Sequence, residues 1–351
     1  MNKQKILVIL LLTFLPTMSY AEESFALNMY GVGHLSLDNV DDGIDSSMYV
    51  ASNSSRFGIS GNYQLMNELK VIFQYESGID LTGQGGNDGN GGADYEGQFF
   101  TKTRPSFVGL SGSFGTTLIG HMPALDQWAN DYNLFADQVG DLGNLWEGSG
   151  IPGRMDNVVY YATPDMKGFD FAVTYTPEEG QKGSANVILK ANYARGDLKL
   201  GFAYGSIGQP DANKDQTVAA FTLGYNFERY SIGGGYQMEF DIAGLAGNDR
   251  GSFSLGGSMK LSDKGTLKAQ FAVSDGEFSQ SEATQIAVGY DYALNDNATI
   301  YLAYARMEND DMVNFSVNGK GHGDKVIPML GNDPSAISLG IVAKFDVNFF
   351  K

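Results

Sequence analysis

The strongest restriction on this chain is a period of two. Leu198, Leu200, Phe202 and Tyr204 alternate with Lys199, Gly201, Ala203 and Gly205, and Phe221, Leu223, Tyr225 and Phe227 alternate with Ala220, Thr222, Gly224 and Asn226. Phe253, Leu255, Met259 and Leu261 follow the same rule, as do Ile286, Val288, Tyr290 and Tyr292, and Ile337, Leu339, Ile341 and Phe345. Side chains that repeat every second residue lie on one face of a β-strand. After Ala21 no segment is apolar enough to cross a bilayer as a helix. If the chain spans a membrane it must do so as a closed barrel, because only helices and closed barrels satisfy every backbone group in lipid.

A soluble sandwich alternates in the same way. Two features favour the barrel. Aromatics gather at strand ends, as in Tyr225/Phe227, Tyr290/Tyr292 and Tyr301/Tyr304, where a membrane barrel places its aromatic girdles. The connections also alternate in length. Residues 65–67, 110–113, 164–167, 195–197, 228, 262–264 and 294–296 are short, whereas 38–49, 80–98, 120–153, 177–184, 207–216, 241–250, 274–283 and 306–334 are long. Short turns on one side and long loops on the other are the pattern of outer-membrane barrels.

The segments between these connections predict sixteen antiparallel strands, near 24–37, 52–64, 68–79, 99–109, 114–120, 154–163, 168–176, 185–194, 198–206, 217–227, 229–240, 251–261, 265–273, 284–293, 297–305 and 335–345. An even number closes the barrel with both termini on the short-turn side, and sixteen strands enclose an aqueous channel. Residues 298–304 fit either facing, and Pro105, which has no ladder donor, predicts a local kink.

Residues 1–21 read as a separate object. Lys3 and Lys5 precede an apolar run from Ile6 to Leu15, and Ser19-Tyr20-Ala21 offers a cleavage site. This is the pattern of a secretory signal peptide, which leaves residues 22–351 as one barrel domain without an internal linker. Loss of the two lysines moves the net charge from −18 to −20. Nucleic acid is excluded as a partner, because phosphate binding needs clustered Lys and Arg. The absence of cysteine excludes a disulfide framework and thiolate metal sites.

Residues 120–154 break the alternation. They carry Asp126, Asp131, Asp137, Asp141 and Glu147, both tryptophans (Trp128 and Trp146), and no Lys or Arg before Arg154. Loops this long in a compact domain are functional or disordered, and disordered tracts are poor in aromatics. The segment therefore reads as an ordered loop folded back onto the rest of the chain. The low-complexity stretch 83–97 reads as a flexible exposed loop, its Asp88 and Asp94 being a poor match to calcium-binding repeats.

No nucleophile, zinc or phosphate-loop motif is present, and His34, His121 and His322 are too scattered for a metal site. A barrel lipase would need a Ser–His pair, for which only His121 with Ser111 or Ser113 is local in sequence. No enzyme and no cofactor is expected. The informative charges are Arg56, Arg104 and Arg154, each out of phase with the apolar residues of its own strand. They point either into the lumen or to a rim where a loop carboxylate or lipid headgroup would pair with them. Arginine on the lipid face at mid-depth would cost about 2–4 kcal/mol.

Several of these segments resemble one family. Tyr30-Gly31, residues 55–61 (SRFGISG), Lys102-Thr103-Arg104 with Phe107-Val108-Gly109-Leu110, Phe114-Gly115, and Arg154 with Asn157, Val159, Tyr161, Pro164, Gly168 and Phe169 are similar to the general porins of the Gram-negative outer membrane. The resemblance implies a third long loop folded into the lumen. Arg56, Arg104 and Arg154 would form a basic cluster on the wall, facing carboxylates drawn from Asp126, Asp131, Asp137, Asp141 and Glu147. It also implies a homotrimer among outer-membrane lipid and lipopolysaccharide. The family has Gly-Arg where this chain has Gly120-His121, and many members end on the last strand's aromatic, whereas Asp346 to Lys351 follow Phe345 here.

The expected function is passive diffusion of ions and small hydrophilic solutes, with a weak cation preference from the acidic excess. Lys190, Lys199, Lys260, Lys268 and Lys344 oppose that preference. A substrate-specific channel, or a secreted β-rich binding protein or adhesin, are the alternatives.

Overall fold

The structure is a computed structural model that describes residues 24–66, 68–82, 104–125, 127–212 and 214–350. The expected signal peptide (residues 1–21), the expected loop 83–97, Lys102, Thr103 and Asp126 lie outside the described residues.

The order of elements is β1 (Phe25–Asp41), β2 (Ser46–Ser52), β3 (Arg56–Met66), β4 (Leu69–Gly78), β5 (Ser106–Gly112), β6 (Gly115–Pro123), α1 (Gln127–Asn130), α2 (Gly143–Trp146), β7 (Arg154–Ala162), β8 (Phe169–Thr176) and β9 (Asn186–Arg195). It continues with β10 (Leu198–Ile207), β11 (Gln216–Asn226), β12 (Tyr230–Phe240), β13 (Arg250–Lys260), β14 (Gly265–Gly276), β15 (Ala283–Asn295), β16 (Ala298–Asn309) and β17 (Ser335–Phe350). From β3 to β17 each strand pairs antiparallel with its neighbour in sequence. β1 pairs with β17 on one side and with β2 and β3 on the other, which closes the sheet. β2 and β3 occupy successive lengths of the same edge of β1, so the wall is a closed barrel of sixteen strands whose second strand is interrupted at residues 53–55.

The facing follows the alternation. Phe202, Phe221, Leu223, Leu255, Phe271, Ile286 and Leu339 are exposed on the outside, while Ala203, Ala220, Thr222, Ser254, Ala272, Ala287 and Ser338 between them are buried. Residues 298–304 resolve to one facing. Ile300, Leu302 and Tyr304 lie outward, and Tyr301 points inward at 1% exposure, where its hydroxyl meets His34 Nε2 at 2.9 Å. Tyr301 is therefore no girdle residue.

Three boundaries differ from expectation. β1 runs on to Asp41, and Ser46–Ser52 pairs with it, so the loop expected over 38–49 shrinks to residues 42–45. Asp42 makes that tight turn by accepting from the backbone N–H of Ile44 and Asp45, each through Oδ1. The last strand extends to Phe350, because Asp346, Val347, Asn348 and Phe350 pair with Tyr30, Met29, Asn28 and Leu27. The residues after Phe345 belong to the closing seam, and Val347 and Phe349 continue its outward phase. Pro105 stands immediately before β5, where its missing N–H interrupts no ladder, and its carbonyl accepts from Glu76 N–H at 3.0 Å.

Spin labels test this facing. Labels at Phe221 and Leu255 are expected to be accessible to oxygen and shielded from a nickel chelate, and a label at Lys199 the reverse.

Candidate functional site

The connection between β6 and β7 carries its own small core. Ala124 N–H donates to Gly153 O at 3.1 Å and ties its ends together. Within it Leu125, Trp128, Phe135, Val139, Leu142, Leu145 and Trp146 are each at most 3% exposed. Burial of each Leu, Val or Phe at this level contributes about 1.5–3 kcal/mol, which explains how a loop with only two four-residue helices is held.

Those apolar residues lie against the inward face of β10 to β16. Gln270 accepts from Leu134 N–H at 2.9 Å and donates to Gly140 O at 3.1 Å, and Gln285 donates to the same carbonyl at 2.8 Å. Lys268 donates to Gln138 Oε1 at 2.9 Å, stands 4.6 Å from the centre of the Phe135 ring, and pairs with Asp291 at 3.0 Å. Tyr132 lies flat on Gly224 and Gly233. A Cβ added at either would stand 1.9 or 2.3 Å from its ring, so only glycine admits the tyrosine there.

On the opposite wall the arginines converge on the interruption between β2 and β3. Ser54 adopts a left-handed conformation (φ 49°), a strained choice for a residue with a side chain. Its carbonyl accepts from Arg56 Nη1 and Arg104 Nη2, both at 3.0 Å. Glu76 on β4 stands 4.0 Å from Arg56 and 3.6 Å from Arg104, and accepts from the Tyr30 hydroxyl at 2.8 Å. Arg104, buried to 6% exposure, also feels the charges of Arg154 and Arg56, so the three guanidinium groups share one region.

Of the loop carboxylates, Asp137 joins this group, 3.7 Å from Arg56 Nη1. Asp131 instead accepts from Thr222 at 2.7 Å and fastens the loop to β11. Asp141 is buried and accepts from the backbone N–H of Asp137 and Gly143 and from the Asn133 amide. Burial, and then the neighbouring Asp137, push it up to about 7. Glu147 pairs with Lys325. Sequence reading missed Glu76. The signal was a carboxylate directly after Tyr75, in the polar phase it shares with Gln74 and opposite to Phe73 and Tyr75 on the apolar phase.

His121 pairs with Asp156 at 2.7 Å, while the Ser111 hydroxyl meets Thr116 at 2.9 Å, so the two do not form a catalytic pair.

A second segment was also missed. Residues 316–323 of the connection between β16 and β17 are mostly buried and touch the β6–β7 loop. Gly140 N–H donates to Val317 O at 2.9 Å. Ser54 Oγ donates to Gly321 O at 2.8 Å, and Gly323 N–H to Asn53 Oδ1 at 2.9 Å. His322 is fully buried, its Nδ1 donating to Gly323 O at 2.5 Å and its Nε2 3.3 Å from Asp38. Burial alone would lower the His322 pKa; Asp38, the Gly323 carbonyl and Asp324 outweigh it and leave it raised.

A closed sixteen-strand wall with a long connection packed on its inner face narrows the comparison to channels. The model of the Gram-negative porin family matches residues 8–312. The chain belongs to this family. It is an outer-membrane protein of many crossings, a channel through which solutes diffuse. Outer membrane porin protein 32 of Delftia acidovorans is 28% identical over 289 residues, which is 77% of this porin and 79% of that protein. The solved anion-selective porin from Comamonas acidovorans superposes with a TM-score of 0.76 at 24% identity, covering 92% of this chain and 100% of that one. OmpT of Vibrio cholerae, in a trimer form, superposes with a TM-score of 0.65 at 18% identity over 92% of this chain and 100% of its own.

Two outcomes are expected. Gly233→Val forces Tyr132 off the porin wall and costs about 1–3 kcal/mol, as overpacking does, read as a lower denaturant midpoint. Because the His322 pKa is raised, its pairing stabilises the fold fully below the free value of about 6.5 and is lost as pH rises through the raised one. Amide protection over 316–326, corrected for intrinsic exchange, should therefore fall as pH climbs above neutral.

Proposed function

We propose that the β6–β7 loop forms the narrowest part of the channel, opposite Arg56, Arg104 and Arg154, and that small hydrophilic solutes and ions pass it by passive diffusion. The observation that carries this reading is the approach of Asp137 on the loop to Arg56 on the wall, 3.7 Å apart, with the rest of the loop held to the facing strands. Fixed positive and negative groups facing each other orient water between them. An apolar solute must displace that water without replacing its hydrogen bonds, so polar solutes are favoured.

Selectivity follows the charges at the narrowing rather than the net charge of −18. Acids such as Asp42, Asp211, Glu277 and Asp311 stand in the connections between strands. At the narrowing three arginines lie together, with Glu76 and Asp137 beside Arg56 and Arg104. A basic row there supports a preference for anions over the cation preference that bulk composition suggests. Asp131, Asp141 and Glu147 hold the loop in place.

The mature protein starts after residue 21, assembles as a homotrimer, and meets lipid and lipopolysaccharide through its exposed apolar belt. Phe227, Tyr230 and Phe169 near the short turns support the membrane boundary. Its role is that of a channel rather than a catalyst: among the described residues His121 pairs with Asp156 and not with a serine.

Single-channel conductance of the refolded protein, with and without residues 127–149, tests the narrowing. The deletion should raise conductance about twofold or more, as a wider water path conducts better. Equal conductance would refute an inward loop.

A further inference from the structure

The rule that sorts the wall, large apolar side chains outward and small or polar ones inward, is broken on β4 to β7. On β4, Phe73 stacks on the exposed Phe25 and so lies outward, which turns Ile72 inward. On β5, Val108 and Leu110 are exposed on the outside, so Phe107 points into the bore. On β6, Ile119 is outward and Leu118 inward, and on β7 Tyr161 is outward and Tyr160 inward. These inward residues are neighbours in register. Ile72 stands opposite Gly109, Gly109 opposite Leu118, and Leu118 opposite Tyr160, with Phe107 one pleat further along β5. Gly109 makes the room: an added Cβ would stand 2.7 Å from Leu118 Cδ2, so the leucine lies over the glycine. Inward positions on β10 to β12 are instead Gly201, Thr222, Gly224 and Gly233, all covered by the β6–β7 loop.

Ile72, Phe107 and Tyr160 pack against the buried group that contains Leu118, yet each stays half-buried. Because they point inward, what remains open of them faces the bore. The strands set the depth of this apolar strip. β4 runs from the short turn after Met66 toward Glu76, and β5 runs from the arginine side toward the short turn before Gly115. Gln74 is opposite Phe107, and Glu76 N–H donates to Pro105 O at 3.0 Å. Two residues of strand span about 7 Å. The strip therefore begins one pleat from the carboxylate that pairs with Arg56 and Arg104, and continues toward the short-turn end of the channel.

We propose that Ile72, Phe107, Leu118 and Tyr160 form a subsite for the apolar part of a solute, and that the channel favours monocarboxylates with an aromatic or branched body over hydroxylated carboxylates of similar shape. This inference rests on the passage proposed above, in which anions meet Arg56, Arg104 and Arg154. The guanidinium groups hold the carboxylate through charge-assisted hydrogen bonds. The apolar body, one pleat away, then lies on the strip and leaves water, which is favourable in proportion to the area covered. A flat ring adds offset or edge-on contact with Phe107 and Tyr160. A hydroxylated ring gains less, because its hydroxyls lose water and meet no partner on an apolar surface. A departure from the pattern that the rest of the wall obeys is where a functional site is expected.

Reversal potentials are measured across planar bilayers holding the refolded full-length protein, with potassium chloride on one side and potassium benzoate or potassium shikimate on the other. Shikimate is a six-membered ring carboxylate that carries hydroxyls. Benzoate should pass ahead of shikimate. Phe107→Ser and Leu118→Ser should each lower the benzoate-to-shikimate permeability ratio about threefold or more, as loss of apolar contact area implies. Phe107→Leu, which keeps an apolar surface, should lower it less, and Thr266→Ser on β14 hardly at all. Each variant is checked for a folded barrel by its strand circular dichroism, and Ile72→Thr, whose new side chain suits a strand, stands in for Leu118→Ser if that variant does not fold. A ratio that keeps its wild-type value in Phe107→Ser and in Ile72→Thr overturns the subsite. A wild-type chloride-to-potassium permeability ratio below one, read in a potassium chloride gradient, overturns the anion passage on which the subsite depends, whatever the variants show.

Discussion

The structure depends on closure. In hydrocarbon every unpaired strand edge exposes amides and carbonyls that lipid cannot satisfy, so the first and last strands must find each other. They do so over fifteen register positions, from Leu27↔Phe350 to Asp41↔Ser335. The length of this seam explains features that look like excess in the sequence: a first strand of 17 residues, and a chain that continues past Phe345. With the edges paired, side-chain alternation does the rest. One set of residues meets lipid, and the other faces the interior, where chemistry can be arranged.

That interior is divided by side-chain size. Where the β6–β7 loop lies against the wall, inward positions are Gly224, Gly233, Ala203, Ala272, Ala287 and Ala305, with Thr222, Gln270, Gln285 and Lys268 spaced among them as hydrogen-bonding points. The small residues leave room and the polar ones fix the loop's position. On the other wall the second strand is broken so that the Ser54 carbonyl can accept from two arginines at once. The loop's position and the arginines' position are thus set by different devices on opposite sides.

The alternation, the strand number and the class of channel were legible because they rest on local periodicity, which each segment carries by itself. Arg56 and Arg154, the first residues of β3 and β7, were singled out by the same phase argument, whereas Arg104 stands ahead of β5, where phase carries no information. Much of the candidate site was not legible. Five loop acids look alike in sequence, and only packing separates Asp137, which reaches Arg56, from Asp131, which holds Thr222, and Asp141, which braces the loop. Glu76 carried a usable signal in its strand phase. The role of residues 316–323 carried none, because their partners Asn53, Ser54 and Asn144 are 170 to 270 residues distant in the chain, as with Gly319–Asn144 and Gly323–Asn53. Tyr301 misled because an aromatic near a strand end marks a girdle only when it faces outward.

The interruption at residues 53–55 and the buried stretch after Ser316 also bear on how this protein can diversify. The β16–β17 connection has two parts under different rules. Residues 316–323 are tied to Asn144 on the β6–β7 loop and to Asn53 and Ser54 beside the arginines, whereas Met312, Ile327, Met329 and Leu330 stand exposed at 60–67%. The exposed part makes none of the ties to Asn53, Ser54 and Asn144, so substitutions there leave the inner half in place. The same connection can therefore accept a different outer surface while the backbone of its inner half stays fixed.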